Sequence, residues 1–512
     1  MIDPLTLKTF YAASIMIPVL TGSILVDSNP KLSRALRITG YAAAPVIFTF
    51  SGLLKLLDYQ LALTLIASVT AIGISLHSEG YYKVIYGLAR YFQIVVDTVL
   101  TSLILLFSST FLVELIVYWF FLDIVVAFIA ITMEHGAENL PVASTYIAMC
   151  IAPSDIALLT MWAILAIKYG VFNSLFLPLN TVLSEKISLD FTTSLIMLFG
   201  FAVKLGQFPL HSWLPIVHGK APSHISAALS GLIIKMGAYA FLLASQLFTF
   251  NPLVFYILLV QGLISTIYGS FGAILQTNIK WILAYSSVGY GGVITALYAS
   301  SMILGDQALN AIIIAVIVFH ALTKALAFIN TGLVYQIANT YDVYKLGYLY
   351  YVSREGALSA YMALLNLTGI PPSTGFIVKV LLIATSILLA MENPLGLALT
   401  MAIVLSAIFS IAYSAKFIGA YVSTLPRISP RAIPVPGVEL KSELYMGLIS
   451  MLTPAILLTY IPGSYAYGET ITAVTLPIYI VSLVASIIIF TRILREPRIP
   501  EDIKYWLSGV EA

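Results

Sequence analysis

Apolar residues run along this chain in blocks of about twenty, separated by short polar punctuation. Roughly 20 apolar residues wound as a helix cross a hydrocarbon core about 30 Å thick. Bounding each block by charge, Pro or Gly predicts spans near 8–26, 35–57, 59–76, 90–110, 111–133, 143–168, 189–217 and 222–249. A second series is predicted near 252–275, 280–301, 307–338, 356–391, 397–424, 444–461 and 470–492. The expected fold is an all-α polytopic membrane protein with fourteen or fifteen transmembrane helices. The first block lacks the basic, apolar, small-residue order of a cleaved signal, so it reads as a retained span.

Of the 512 residues, 60% are apolar and 9% charged. Soluble domains carry about a quarter charged residues, so no extramembrane domain is expected. A single cysteine, Cys150, excludes disulfide frameworks, thiolate zinc sites and iron–sulfur ligation on this chain. No cofactor is expected, and any redox chemistry belongs to other chains. A formal net charge of +2 offers no basic face for nucleic acid.

The placement of the cations adds orientation, because Lys and Arg favour cytoplasmic loops. Sixteen of the 25, Lys220 and Lys280 among them, fall in loops after odd-numbered segments or in the C-terminal tail. Four, Lys8, Lys55, Lys168 and Lys186, fall on the other side. The N-terminus is therefore expected outside and the C-terminus inside. The remaining five are all lysines inside apolar runs: Lys204, Lys235, Lys324, Lys379 and Lys416. An ionised side chain at that depth costs at least about 2.5–3.5 kcal/mol. Snorkelling explains one lysine near a helix end. It does not explain five with no arginine among them. Arginine is effectively always charged, whereas a desolvated lysine can lose its proton, so the set suits proton exchange. Acids at similar depth are Asp97, Glu114, Asp123 and Asp155.

Two spans are interrupted. GFAVKLGQFPLHSWLP (Gly200–Pro215) carries Pro209 and Pro215, and NLTGIPPSTGFIVK (Asn366–Lys379) carries Pro371 and Pro372. Proline inside a helix costs about 3 kcal/mol or more and frees a carbonyl, which at bilayer depth must face protein or water. Discontinuous helices therefore mark candidate ion sites. The pentads GFAVK and GFIVK predict an internal repeat of five segments, hence inverted in the membrane. The expected divisions are 1–89, N-terminal helices; 90–250 and 251–425, the two repeats; and 426–512, C-terminal helices and tail. Lys235 would then correspond to Lys416. His320 and Lys324, one turn apart on one helix face, are candidate relay groups. His211, His218 and His224 share no helical turn, and their loop lacks carboxylates and thiols. They are expected to satisfy freed backbone groups or line an aqueous pocket, and no metal is expected.

The stretch KLGQFPLHSWLPIVHGKAPSHISAALSGLIIKMGAY (Lys204–Tyr239) resembles the signature of antiporter-like membrane subunits. That family is shared by respiratory complex I, multisubunit cation/proton antiporters and membrane-bound hydrogenase-type complexes. Pro209, His211, Trp213, Pro215, His218, Pro222 and Lys235 carry the match. It continues through QTNIKWILAYSSVGYGG (Gln276–Gly292), His320 with Lys324, and LTGIPPSTGFIVK, covering roughly residues 90–420. The resemblance implies that Lys204 is the central-helix lysine, Lys235 the next, His320 and Lys324 the relay, and Lys379 the terminal group near the exit. It places Asp123, nine residues after Glu114 in ELIVYWFFLD, where the family carries a glutamate, so the carboxylate sits one methylene further back. Ile216 and Asn278 stand where aspartates are usual.

The implied function is a proton-translocating subunit in a larger redox complex of an energy-converting membrane such as the cell membrane. Its partners would be a redox module and further antiporter-like subunits. One alternative is a sodium/proton antiporter subunit, with Asp97, Asp123 or Asp155 helping to hold Na⁺. The other is a transport-silent structural subunit.

Overall fold

The structure, a computed structural model, describes residues 4–50, 58–179, 186–306, 308–347, 349–422, 435–464 and 468–495. Three helices lead: α1 (Pro4–Ile24), α2 (Pro30–Phe50) and α3 (Asp58–Tyr86). Next come α4 (Arg90–Phe107) and α5 (Leu112–Val125), which runs on through a π turn, Val126–Ala130. A second π turn, Ile147–Ile151, joins α6 (Leu140–Tyr146) to α7 (Ala152–Tyr169), and α8 (Val171–Leu175) is short. Then follow α9 (Phe191–Lys204), α10 (Trp213–Lys220), α11 (Ser223–Ala228), a third π turn at Leu229–Ile233, and α12 (Lys235–Leu247). The second half holds α13 (Pro252–Leu275), α14 (Ile279–Leu304), α15 (Leu309–Ala338), short α16 (Leu349–Val352), α17 (Arg354–Thr368), α18 (Thr374–Glu392) and α19 (Pro394–Val422). Helices α20 (Gly437–Ser464) and α21 (Gly468–Arg495) close the described chain.

Among the described residues, thirteen helices are long and apolar enough to cross a membrane. The chain is a multi-pass helical membrane protein. Two of the fifteen expected spans are missing from that set, for different reasons. The 35–57 span falls on α2, whose start carries Lys31, Arg34 and Arg37, and its last residues lie outside the described ones, as do Lys55, Arg427, Arg431, Arg498 and Lys504. The 189–217 span stops at Lys204, leaving α9 too short to cross. The 356–391 span likewise splits at Gly369–Ser373 into α17 and α18.

Helix α15 sits at the centre, packed against α3, α11, α14, α17, α18 and α20. Glycines set how closely the lysine-bearing helices approach one another. A Cβ on Gly237 would lie 2.4 Å from the Phe201 carbonyl oxygen, so α12 rests directly on α9. A Cβ on Gly375 would lie 1.9 Å from the Asn366 carbonyl oxygen, which seats the start of α18 against the end of α17. Lys416 has a capping position. Its ammonium donates to the carbonyls of Ile274 and Gln276, the unsatisfied C-terminal end of α13. Its surroundings differ from those of Lys235, its expected counterpart.

Replacing Gly375 with alanine should cost about 1–3 kcal/mol, the usual penalty for overpacking. Gly419→Ala, where an added carbon meets nothing within 4 Å, should cost none. Thermal unfolding of the two purified variants checks the contrast.

Candidate functional site

Lys204 is the last residue of α9, where Gly206 (φ +75°) turns the chain into the cis Phe208–Pro209 bond. Asp123 lies near the end of α5, just before the first π turn. The two meet with Nζ 2.5 Å from Oδ1, at 0% and 2% side-chain exposure. The shorter carboxylate therefore still reaches its lysine. The ammonium lies 5.3 Å from the Trp119 ring centroid and 5.7 Å from that of Tyr146, a cation–π box around the pair. Tyr146 donates its hydroxyl to Asp123 Oδ1 at 3.3 Å, and Trp119 donates its indole N–H to Asp155 Oδ1 at 3.0 Å. Asp155 is thus built into the wall of the box and also interacts with Asp123 and Lys204.

Lys235 opens α12 directly after the third π turn. Its ammonium donates to the Ser230 carbonyl on that turn at 3.2 Å and lies 2.6 Å from His320 Nδ1. Ser230 and Ser287 share a hydrogen bond of 2.7 Å. Beside Ser287, Ser286 accepts from Lys324, which also donates to the Leu283 carbonyl at 3.0 Å. The Tyr413 hydroxyl interacts with Ser286 and Tyr290, and one turn away on α19 Ser410 accepts from Lys379 at 2.5 Å. Lys379 then reaches across the second break to the Leu367 and Thr368 carbonyls at 2.7 and 2.9 Å. All of its N–H donors land on oxygens, two of them freed by the end of α17.

The structure thus brings Lys235 to His320, Lys324 to Ser286, and Lys379 to Ser410 one turn from Tyr413 on α19. Two other expected residues lie elsewhere. Asp97 receives Ser23 (2.6 Å), Tyr41 (2.8 Å) and Gln93 (2.8 Å) in the N-terminal layer. Glu114 pairs with Lys8 at 3.5 Å. The three histidines near the first break separate: His211 meets Tyr268, His218 stacks on Phe328, and His224 bonds His77. No group of three or more His, Cys, Asp or Glu able to hold a metal occurs among the described residues.

Lys280, read from sequence as a loop cation, is buried at the start of α14 and donates to the Ala221 carbonyl. It borders a cleft of about 1220 Å³ that is also lined by Tyr81, Glu134, Lys220, Trp281 and Tyr341. Burial pushes the Glu134 carboxyl, on the loop between spans, up to about 7 against the pull of Lys280. Asn278 replaces the family's aspartate without loss of its cap, accepting from the Lys280 and Trp281 amides at 2.9 and 3.4 Å.

The connecting residues Trp119, Tyr146, Ser230, Ser286, Ser287, Ser410 and Tyr413 carry no sequence signal that separates them from ordinary core residues. The three π turns, all beside site residues, were likewise invisible in the sequence, although such turns often mark functional positions.

Fold and site together define a polytopic helical membrane protein with two broken helices and a buried row of lysines between them. Residues 113–409 match the family described as NADH:quinone oxidoreductase/Mrp antiporter, TM. The chain belongs to that family. It is 36% identical over 194 residues to Hydrogenase-4 component B of Escherichia coli (strain K12), covering 36% of this chain and 29% of that protein. It is 30% identical over 228 residues to NAD(P)H-quinone oxidoreductase chain 4 1 of Synechococcus sp. (strain JA-2-3B'a(2-13)), covering 44% and 42%. The match thus spans less than half the length of either relative. A chain in the structure of the Mrp complex from Dietzia sp. DQ12-45-1b superposes with a TM-score of 0.71 at 17% identity, over 91% of this chain and 100% of that one.

Asp123→Asn should destabilise the protein by about 3–5 kcal/mol, because it strands a buried ammonium. Adding Lys204→Met should recover most of that loss. Thermal unfolding of the two single variants and the double variant measures the coupling.

Proposed function

We propose that this chain is the proton-translocating, antiporter-like subunit of a membrane-bound energy-converting redox complex. The observation that carries the reading is the buried sequence from the Asp123–Lys204 pair through Lys235–His320 and Lys324–Ser286 to Lys379. Every ionisable member is a lysine, a histidine or an aspartate, each able to take up or release a proton. Asp123 holds Lys204 as an ion pair in its aromatic box. Drawing Asp123 away removes the attraction, and the Lys204 proton leaves toward Lys235. His320 Nδ1 receives it from Lys235. Its Nε2, buried and unpaired, is the natural handover point toward Lys324. From Lys324 the serine–tyrosine steps on α14 and α19 lead to Lys379 and the second break. One pKa unit corresponds to 1.36 kcal/mol, so disrupting the pair by a few kcal/mol suffices to trigger release.

In this reading residues 90–250 and 251–425 are the two inverted halves, and the N-terminus faces outside and the C-terminus inside. The cleft beside Lys220 and Lys280 then opens inside. The driving electron transfer belongs to a redox module, coupled through neighbouring membrane subunits. Sodium coordination finds little support, since Asp97 already receives three donors and Asp155 is held by Trp119.

Lys204→Ala and Lys379→Ala should each lower proton translocation by roughly tenfold or more, the effect of losing at least 1.4 kcal/mol of coupling. Lys416→Met, which removes only a helix cap, should leave it intact. The assay is acidification of vesicles carrying the assembled complex, followed with a pH-sensitive dye. Unchanged pumping in both alanine variants would favour a structural subunit, and activity that requires sodium and survives both would favour antiport.

A further inference from the structure

A second group of buried titratable side chains lies outside the lysine row. His77 on α3 is fully buried, with Nδ1 2.9 Å from His224 Nε2 on α11. Its Nε2 lies 3.1 Å from Glu443 Oε1 and 3.3 Å from Glu439 Oε1, both on α20. Glu443 also accepts from Asn330 Nδ2 at 2.9 Å and from the Ser359 hydroxyl. Glu439 accepts from Gln336 Nε2 at 3.2 Å, and Tyr421 donates to Asn330 Oδ1 at 3.0 Å. Both carboxylates are 0% exposed, and their ion-pair partner among the described residues is His77.

That arrangement has a proton deficit unless it carries extra protons. Two carboxylate oxygens converge on a single ring nitrogen, which supplies one N–H. If both were ionised they would repel at close range in a dry interior, and even a charged His77 would leave a net negative charge. A proton shared between carboxylates relieves such a pair, and the titration then belongs to the group as a whole. The groups facing it are His77, Tyr81 and Tyr82 from α3, His224 from α11, Asn330 and Gln336 from α15, Ser359 from α17, Tyr421 from α19, and the two glutamates. From the cleft, Lys280 faces His224 and Glu134 faces Tyr82. The donors turned toward the carboxylates are amide, hydroxyl and imidazole hydrogens, an environment that suits a proton and repels a metal cation.

One ring separates the cluster from the cleft. The His224 ring packs edge-on to Tyr81, centroids 4.7 Å apart, and Tyr81 lines the cleft. His224 Nδ1 is buried and unpaired. We propose that His77, His224, Glu439 and Glu443 form a second proton-loading site, filled from the cleft through His224 and separate from the Asp123–Lys204 pair. A proton from cleft water binds His224 Nδ1 while the proton on Nε2 passes to His77 Nδ1. The His77 Nε2 proton then moves to the carboxylate pair, and the reverse sequence empties the site. Each step forms one N–H or O–H bond and breaks another, with no change in oxidation state. Asn330 and Gln336 tie the cluster to α15, the helix of His320 and Lys324, so its charge acts on the relay helix. Its purpose rests on the proton-transport reading, but its chemistry does not.

Infrared pH-difference spectra of the assembled complex test it, read at the deuterium-sensitive carboxyl band. Glu443→Gln and Glu439→Gln should each remove intensity that the parent shows, and Glu443→Asp, which keeps a carboxyl and guards against misfolding, should shift it. His224→Phe should keep the band but slow its rise after a pH jump by roughly a hundredfold. Lys204→Ala should lower translocation by roughly tenfold or more and leave the band unchanged. Spectra identical to the parent in the glutamine and aspartate variants would overturn the site, as would a band displaced when sodium chloride replaces choline chloride at constant pH. A band lost in the glutamine variants alongside pumping that is indifferent to Lys204 would instead remove the transport reading and keep the site.

Discussion

The contact on which the rest depends is the ion pair between Lys204 and Asp123, a full charge held where neither water nor lipid headgroup can solvate it. An unpaired ammonium in hydrocarbon costs several kcal/mol, so the surrounding architecture has to supply what water would. It does so with a carboxylate at 2.5 Å and two aromatic faces, one anchored by Asp155 and the other by Asp123 itself. Asp123 thus reaches its lysine despite the shorter side chain. Close approach of α9 and α12, permitted by Gly237, then brings the second lysine's helix alongside.

The other lysines obey the same constraint by different means. Lys235 uses a carbonyl of its own π turn and the ring of His320, whereas Lys324 uses a carbonyl and a serine. Lys379 uses the carbonyl end of a helix that stops in mid-membrane. Breaking a helix is costly in lipid because it frees backbone oxygens. Here those oxygens offset the cost by becoming ligands for a cation. Helix breaks and buried lysines are therefore one device.

The helices outside the matched region contribute more than packing. Arg34, Arg37 and Lys83 neutralise Glu79 on α3, and Asp97 is enclosed by donors from α1, α2 and α4. These networks fix α3 in place. On its other side α3 presents His77 to α20. The N-terminal and C-terminal helices thus meet through a titratable cluster as well as an apolar seam.

Helix existence, the two breaks and the five lysines inside apolar runs were legible in the sequence, because apolar run length, proline and charge in hydrocarbon are local properties of the chain. The place of Asp123 opposite Lys204 was legible only through the family resemblance, whereas helical spacing alone set His320 one turn from Lys324. Tertiary structure alone showed that Lys416 caps a helix, since its carbonyl partners at the end of α13 lie about 140 residues away in sequence. It alone brought Ser286 on α14 to Tyr413 on α19, both ordinary residues in sequence. Glu439 and Glu443, four residues apart, stand just before the 444–461 block, and the fold buries them against a histidine more than 350 residues away. Hydrophobic pattern specifies what enters the membrane, but the partner of a buried charge is a long-range contact, and one-dimensional pattern does not encode it.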